Sequence, residues 1–257
     1  MYGVKTMRAT QFLLLVFVID LVPSLLHADG LIRKLPKDGT WAEYQIDCTI
    51  GEGETAWNES GVLRVASLGQ VTKDGQACRW LEFAFIPKAE DAKASGPAKE
   101  KPTTDRKEII KVLVPEKFLA TGETPLEHIL EAWEGRNPGH ASKVPHPEDI
   151  EGGPLPLLLA GPLKDAKPLP KADVESKLGK VPCEGEKGVL DFKSREGRDF
   201  HFEIENRLHA DSPFGVVRGE MNGGAPKSAK KPSLNIKWVL KLTDYGDNAK
   251  SQMPEEK

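Results

Sequence analysis

The chain has 257 residues, with 36 Lys and Arg against 39 Asp and Glu and a formal charge of −3. That balance excludes a protein that binds nucleic acid electrostatically, which needs a basic face to neutralise phosphates. Its 20 Pro and 24 Gly favour many turns over long helices.

The N-terminus reads as a secretory signal. Lys5 and Arg8 supply a positive start, residues 12–26 (FLLLVFVIDLVPSLL) form an apolar core, and Leu26-His27-Ala28 is a small-residue cleavage site. Cleavage after Ala28 makes Asp29 the first mature residue. The 15-residue run, which contains Asp20 and Pro23, is short of the roughly 20 residues a spanning helix needs. A permanent membrane anchor is therefore not expected, and no Cys lies near the cleavage point to carry a lipid. The address is export, to a periplasmic or extracellular space. Removing Lys5, Arg8 and Asp20 with the first 28 residues leaves 229 residues and takes the formal charge from −3 to −4. That length is enough for one large β domain.

Residues 41–50 alternate, with Ala42, Tyr44, Ile46, Cys48 and Ile50 on one face, the period of a half-buried strand. Residues 61–67 and 77–86 are further strands; in the latter Leu81, Phe83 and Phe85 face the core while Cys78 and Trp80 lie opposite. Residues 87–107 carry no large apolar side chain and are expected to be a mobile loop, because such a segment buries too little to offset its own ordering. Residues 108–114 resume as a strand closed by Pro115. Next comes a predicted helix over 124–135. Thr124 stands as N-cap, Pro125 at the first position and Glu127 completes a capping box. Leu126, Ile129, Leu130 and Trp133 form its apolar stripe, and Gly135 ends it. The decapeptide 154–163, PLPLLLAGPL, is too proline-broken for a long element and reads as a buried turn plugging the concave side of a sheet. Strands follow at 188–193, 199–205, 214–221 and 234–243. Phe200, Phe202 and Ile204 point in against His201, Glu203 and Glu205, and Leu234, Ile236, Trp238, Leu240 and Leu242 alternate with Asn235, Lys237 and Lys241. Residues 222–233 form a second mobile loop and 246–257 a polar tail.

The fold expected is mostly β, of α+β class: one domain over 29–245 in which about eight antiparallel strands curve around a short helix and an apolar plug. The order of strands, helix and plug, then strands, with the turn Ser212-Pro213-Phe214-Gly215-Val216-Val217 leading into a strand, resembles exported bacterial half-barrel proteins of the lipoprotein-localisation-factor type. Uncharacterised secreted proteins of that shape are similar. The resemblance implies a half-open barrel with a helical lid that holds acyl chains, and hence an apolar ligand such as a lipid; no individual binding residue carries over. Leu126, Ile129, Leu130, Trp133, Leu157, Leu158 and Leu159 are the residues expected near such a cavity, although plain core packing is the favoured reading of each.

Three cysteines, Cys48, Cys78 and Cys183, allow one disulfide in an oxidising compartment and leave one thiol. Pairing is not fixed by sequence, but Cys48 and Cys78 lie on opposite strand faces, so Cys78 with Cys183 is favoured. No metal site is expected. The sequence has no CxxC, and His140 and His146, near Glu148, Asp149 and Glu151, match no zinc spacing. His128 falls on the polar side of the predicted helix and His201 on a solvated strand face. Glu203 and Glu205 lie about 7 Å apart by strand rise, a separation glycosidase acids share, yet outward acids at alternate positions are what a solvated face looks like. There is no G-x-S-x-G and no phosphate loop, and no cofactor is called for. Asn58-Glu59-Ser60 is a glycosylation sequon with meaning only in a eukaryotic secretory route. The first functional reading is a non-enzymatic exported binder of an apolar ligand. Its rivals are an extracellular interaction module meeting a partner through loops 87–107 and 222–233, and a hydrolase with scattered residues such as His140, His146 or His201.

Overall fold

The computed structural model describes residues 30–51, 56–88, 107–120, 122–137, 140–146, 158–193, 197–227 and 233–253. The segment proposed as a signal, most of the 87–107 loop, Leu157 and the last four residues lie outside these.

Alternation sets the architecture. Strand β1 (Trp41–Ile50) buries Ala42, Tyr44, Ile46 and Cys48 and leaves the residues between them at least part-exposed, so one face needs a cover and the other meets water. The same logic builds β2 (Trp57–Lys73), β3 (Gln76–Pro87), β4 (Glu108–Pro115), β5 (Glu131–Asn137) and β6 (His140–Lys143) on one side of β1. On the other side stand β11 (Leu234–Gly246), β10 (Val216–Ala225), β9 (Asp199–Leu208), β8 (Gly179–Lys193) and β7 (Lys164–Ser176). Among the described residues these make one antiparallel sheet of 11 strands in the order β6-β5-β4-β3-β2-β1-β11-β10-β9-β8-β7.

The sheet curls. β8 pairs with β9 only from Glu184 onward, so the β7–β8 hairpin projects past its neighbour. Its tip folds back onto β11, where Lys177 N donates to Leu242 O at 3.3 Å and Lys177 Nζ meets Asp244 Oδ1 at 3.0 Å. The inner face of β1–β4 is filled by chain from outside the sheet. Leu31, Ile32, Leu119, Leu158, Leu159 and Phe214 pack on Tyr44, Leu63, Leu81 and Val112. Backbone bonds fix that filling: Leu31 N to Leu158 O at 2.9 Å, Arg33 N to Phe214 O at 2.9 Å, and Leu126 N to Leu159 O at 3.3 Å.

Mostly β holds; the count and the helix do not. The predicted helix over 124–135 is a single 3-10 turn, Pro125–His128, followed by strand β5. Thr124 makes no cap, its hydroxyl lying 3.4 Å from the Glu127 carboxylate instead. Pairing outweighs the local signal, because β4 would otherwise leave a row of backbone groups open. Leu130 N donates to Leu113 O at 2.8 Å, and Ala132 then pairs with Val112. β7 was missed because its sequence, KDAKPLPKADVES, does not alternate. It is an edge strand, where Pro is tolerated and Lys discourages further pairing. β10 takes residues 222–225 from the expected second loop. The tail is docked at its near end: Ala249 N donates to Gly39 O at 2.7 Å, and Ser251 Oγ, Gln252 N and Met253 N all donate to the carboxylate of Glu82, at 2.6, 2.8 and 3.3 Å.

Candidate functional site

The inner face has a second half, over β8–β11 and β1, and register shows how it is made. Leu190, Phe202, Gly223, Ile236, Ile50 and Trp57 stand in one row across six strands. Gly188, Ile204, Met221, Trp238, Cys48 and Glu59 form the next row, and Phe192 beside Phe200 begins a third. Cross-strand neighbours of this kind touch. The Phe192, Phe200 and Phe202 rings stack with centroids 4.9 to 6.0 Å apart and planes within 17°.

Among the described residues, this half is only partly covered. Ala160 and Leu163 pack over it beside Leu190, Phe202 and Met221, while Phe192, Phe200, Ile204, Ile236 and Trp238 remain half-buried and Trp57 is 39% exposed. Two glycines shape it. A side chain at Gly188 would sit 2.8 Å from Leu163 Cβ, so its bareness admits the covering segment. Gly223 has φ +155°, and a Cβ there would lie 2.1 Å from His201 O, so the row between Phe202 and Ile236 has a gap that only glycine allows.

Beyond the apolar rows runs a polar one. Glu186 and Asn206 are opposite each other and buried, with Asn206 Nδ2 donating to Glu186 Oε1 at 3.4 Å. Arg33 Nη2 meets Glu186 Oε2 at 3.0 Å, both side chains under a tenth exposed. This pair divides the filled half of the inner face from the open half.

Of the residues proposed from sequence, Leu158 and Leu159 are core at 2% and 1% exposure. Leu126 and Ile129 pack half-buried against the same core, and Leu130 is half-buried. Trp133 faces the other side of the sheet from Ala132, with Lys143 Nζ 5.8 Å from its ring centre. Trp133 thus lies on the opposite face from Ala132, and Leu157 lies outside the described residues. The apolar rows of the open half were missed as a site although Phe200, Phe202, Ile204, Ile236 and Trp238 were read as inward-facing. Their alternation was the available signal, and it reports a face without reporting its cover.

All three cysteines are free, which corrects the expected Cys78–Cys183 bridge. β3 and β8 have five strands between them, whereas a disulfide requires Cα atoms within about 7 Å. Burial pushes the Cys48 thiol up to about 11, against the opposing pull of the hydrogen bond from Trp238. Burial raises Cys183 likewise.

The His128 ring stacks on Phe118 at 3.4 Å, and His201 Nδ1 lies 2.7 Å from Asp191 Oδ1 on the outer face. Among the described residues no group of three or more His, Cys, Asp or Glu is placed to hold a metal. Glu203 and Glu205 line an open outer hollow of about 380 Å3 with Glu220, Lys187 and Lys237. There Glu205 and Glu220 stand opposite each other, each held by an arginine of its own strand, Arg207 at 2.7 Å and Arg218 at 2.5 Å. Among the described residues no helix is long and apolar enough to cross a membrane.

No protein-family model matches the sequence, and no curated protein matches it. Among solved structures, the chain is similar to a protein of Bacteroides fragilis described as exported with a YmcC-like fold, at 9% identity over 86% of this chain and 100% of that one, TM-score 0.37. It is also similar to a protein of Parabacteroides distasonis described as a lipoprotein, at 11% identity over 85% and 99% of the two chains, TM-score 0.34. A DUF1329 family protein of Desulfovibrio piger gives 12% identity over 82% and 87%, TM-score 0.30. The chain bears a weak resemblance to exported bacterial proteins of this type, and the likeness assigns no residue of the site.

Proposed function

We propose that this is an exported, non-enzymatic binder or carrier of an apolar ligand, a lipid, held on the open half of the inner face. One observation carries the reading: rows of apolar side chains cross β8–β11 and β1 without a polar residue until Glu59, and Phe192, Phe200, Ile204, Ile236 and Trp238 are left half-buried. Apolar area costs about 25 cal/mol per Å2 when left in water, so a contiguous uncovered patch calls for a partner. Export rests on residues 1–28, with their positive start, short apolar run and small-residue end. The surface proposed here lies apart from the residues expected at Leu126 to Leu159, of which Leu158 and Leu159 are core.

Native mass spectrometry of the full chain purified from its own host tests this. The expected result is an added apolar mass that disappears in Phe200→Glu while the unfolding midpoint holds. A bare mass, together with no uptake of N-phenyl-1-naphthylamine, overturns the proposal.

A further inference from the structure

The docked tail lies on the outer face, across the sheet from the apolar rows, and its main chain makes most of the bonds that hold it. Ala249 N donates to Gly39 O at 2.7 Å, and Trp41 Nε1 donates to Asp247 O at 3.3 Å. Gln252 N and Met253 N donate to the Glu82 carboxylate at 2.8 and 3.3 Å. One side chain joins them: the Ser251 hydroxyl donates to Glu82 Oε2 at 2.6 Å and accepts from Met253 N at 3.2 Å. The sheet is shaped for this close passage. Gly39 has φ +77°, and a Cβ there would lie 3.2 Å from Asn248 N.

Trp41, Ala66 and Glu82 stand in one row across β1, β2 and β3. Ala66 and Glu82 are each 2% exposed, and Ala66 contributes only a methyl between a large indole and a buried carboxylate. A carboxylate that accepts main-chain N–H groups grips an extended segment of almost any sequence, since every residue except proline carries that donor. Side chains then set the preference, as in other sites that read an extended peptide. Here the tail is mismatched at one of them. Gln252 Oε1 is buried and, among the described residues, has no hydrogen-bond partner, a penalty that an apolar side chain at this position would avoid.

We propose that the row from Trp41 to Glu82 is a binding site for an extended peptide segment of a partner protein, and that residues 247–253 are its exchangeable occupant. The segment that fits carries a hydroxyl where Ser251 stands and an apolar residue in place of Gln252. Its main chain supplies the next two N–H groups to Glu82.

The test is fluorescence anisotropy of a fluorescein-labelled peptide of residues 247–253, and of the same peptide carrying Gln252→Leu. Each is titrated with the native full chain and with two full-length variants. Gln252→Pro takes one donor from the chain's own tail and so weakens an intramolecular competitor; Gln252→Pro combined with Glu82→Gln also removes the carboxylate. The expected result is that Gln252→Pro binds the native-sequence peptide about tenfold more tightly than the native chain does. The substituted peptide binds roughly tenfold more tightly again, the scale of one buried polar group left without a partner, and both peptides are lost with Glu82→Gln. Hydrogen exchange reads the tail itself, with the Met253 amide protected in the native chain and exposed in Gln252→Pro. No peptide binding to Gln252→Pro, binding that survives Glu82→Gln, or a Met253 amide still protected in Gln252→Pro overturns the proposal. Equal binding of the two peptides overturns the apolar preference and leaves the site.

Discussion

The two halves of the inner face begin alike and end differently. Over β1–β4 the sheet presents Tyr44, Leu63, Leu81 and Val112, each at 0% exposure, because Leu31, Leu119, Leu158, Leu159 and Phe214 fill the hollow. Over β8–β11 it presents side chains as apolar as those, yet among the described residues Ala160 and Leu163 are what reaches across, and Phe200, Ile204 and Trp238 stay half-buried. The same strand alternation therefore produces a core in one place and a surface in the other. What decides is where the non-sheet segments run.

The border between the halves is where the largest effect is expected. Glu186→Ala removes one partner of an ion pair in which both side chains are buried, and breaking such a pair from one side costs about 3–5 kcal/mol. Urea unfolding at neutral pH checks it. A loss below about 1 kcal/mol would mean that water reaches the pair and that the halves are not separated there. Next comes a direct contrast between them. Leu63→Ala opens a cavity in the filled half and costs about 2–5 kcal/mol, whereas Phe200→Ala, in the open half, costs clearly less because its ring is only half-buried. Equal losses in the same unfolding experiment would show that the open half is packed as core.

Legibility in the sequence followed the same division. The inward sets of β1, β3, β9 and β11 could be read because Tyr44 and Ile46, Leu81 and Phe83, Phe200 and Phe202, and Ile236 and Trp238 repeat every second residue. β7 could not, since an edge strand built from Lys164, Lys167, Pro168 and Pro170 buries almost nothing. The helix at 124–135 was a local signal overruled by a distant one: Thr124, Pro125 and Glu127 write a helix start, but the open edge of β4 takes Ala132 and Trp133 into a strand. Covering and uncovered apolar residues are hard to tell apart for a related reason. Leu158 and Leu159 were legible as apolar, but whether an apolar residue covers or awaits a cover depends on partners more than 100 residues away, such as Leu31 against Leu158.

The outer face has a cover of its own, in the docked tail. Glu82 is 2% exposed and accepts hydrogen bonds from Ser251, Gln252 and Met253. Glu82→Ala is expected to cost about 2 kcal/mol, and it should release the tail before the sheet. Hydrogen exchange reads this directly: the amides of Gln252 and Met253 lose protection while those of Tyr44 and Leu63 keep theirs. Unchanged protection at Gln252 and Met253 would show that Glu82 does not hold the tail.

The smallest effect separates two carboxylates, one in each region. Glu131, on β5, receives Lys73 from the β2–β3 hairpin and Lys143 from β6 at 3.3 Å. The hydrogen bond from Lys73 first, and that from Lys143 after it, hold its carboxyl below the usual range against the opposing effect of burial. A depressed folded pKa means that the stabilisation is complete above the unfolded value, about 4.3 for Glu, and is lost as pH falls through the folded one. Glu131→Gln should therefore lower stability at pH 7 by about 1 kcal/mol or less and flatten the decline between pH 5 and 3, as seen in urea midpoints. Asp191, on β8, is also held low, by His201 first and then by Lys164. Its partners stand in water, with His201 62% exposed, so screening removes most of what the pairing contributes and Asp191→Asn should leave the acid limb where it was. An acid limb that moved with Asp191 and not with Glu131 would reverse the assignment of order to the filled side of the sheet.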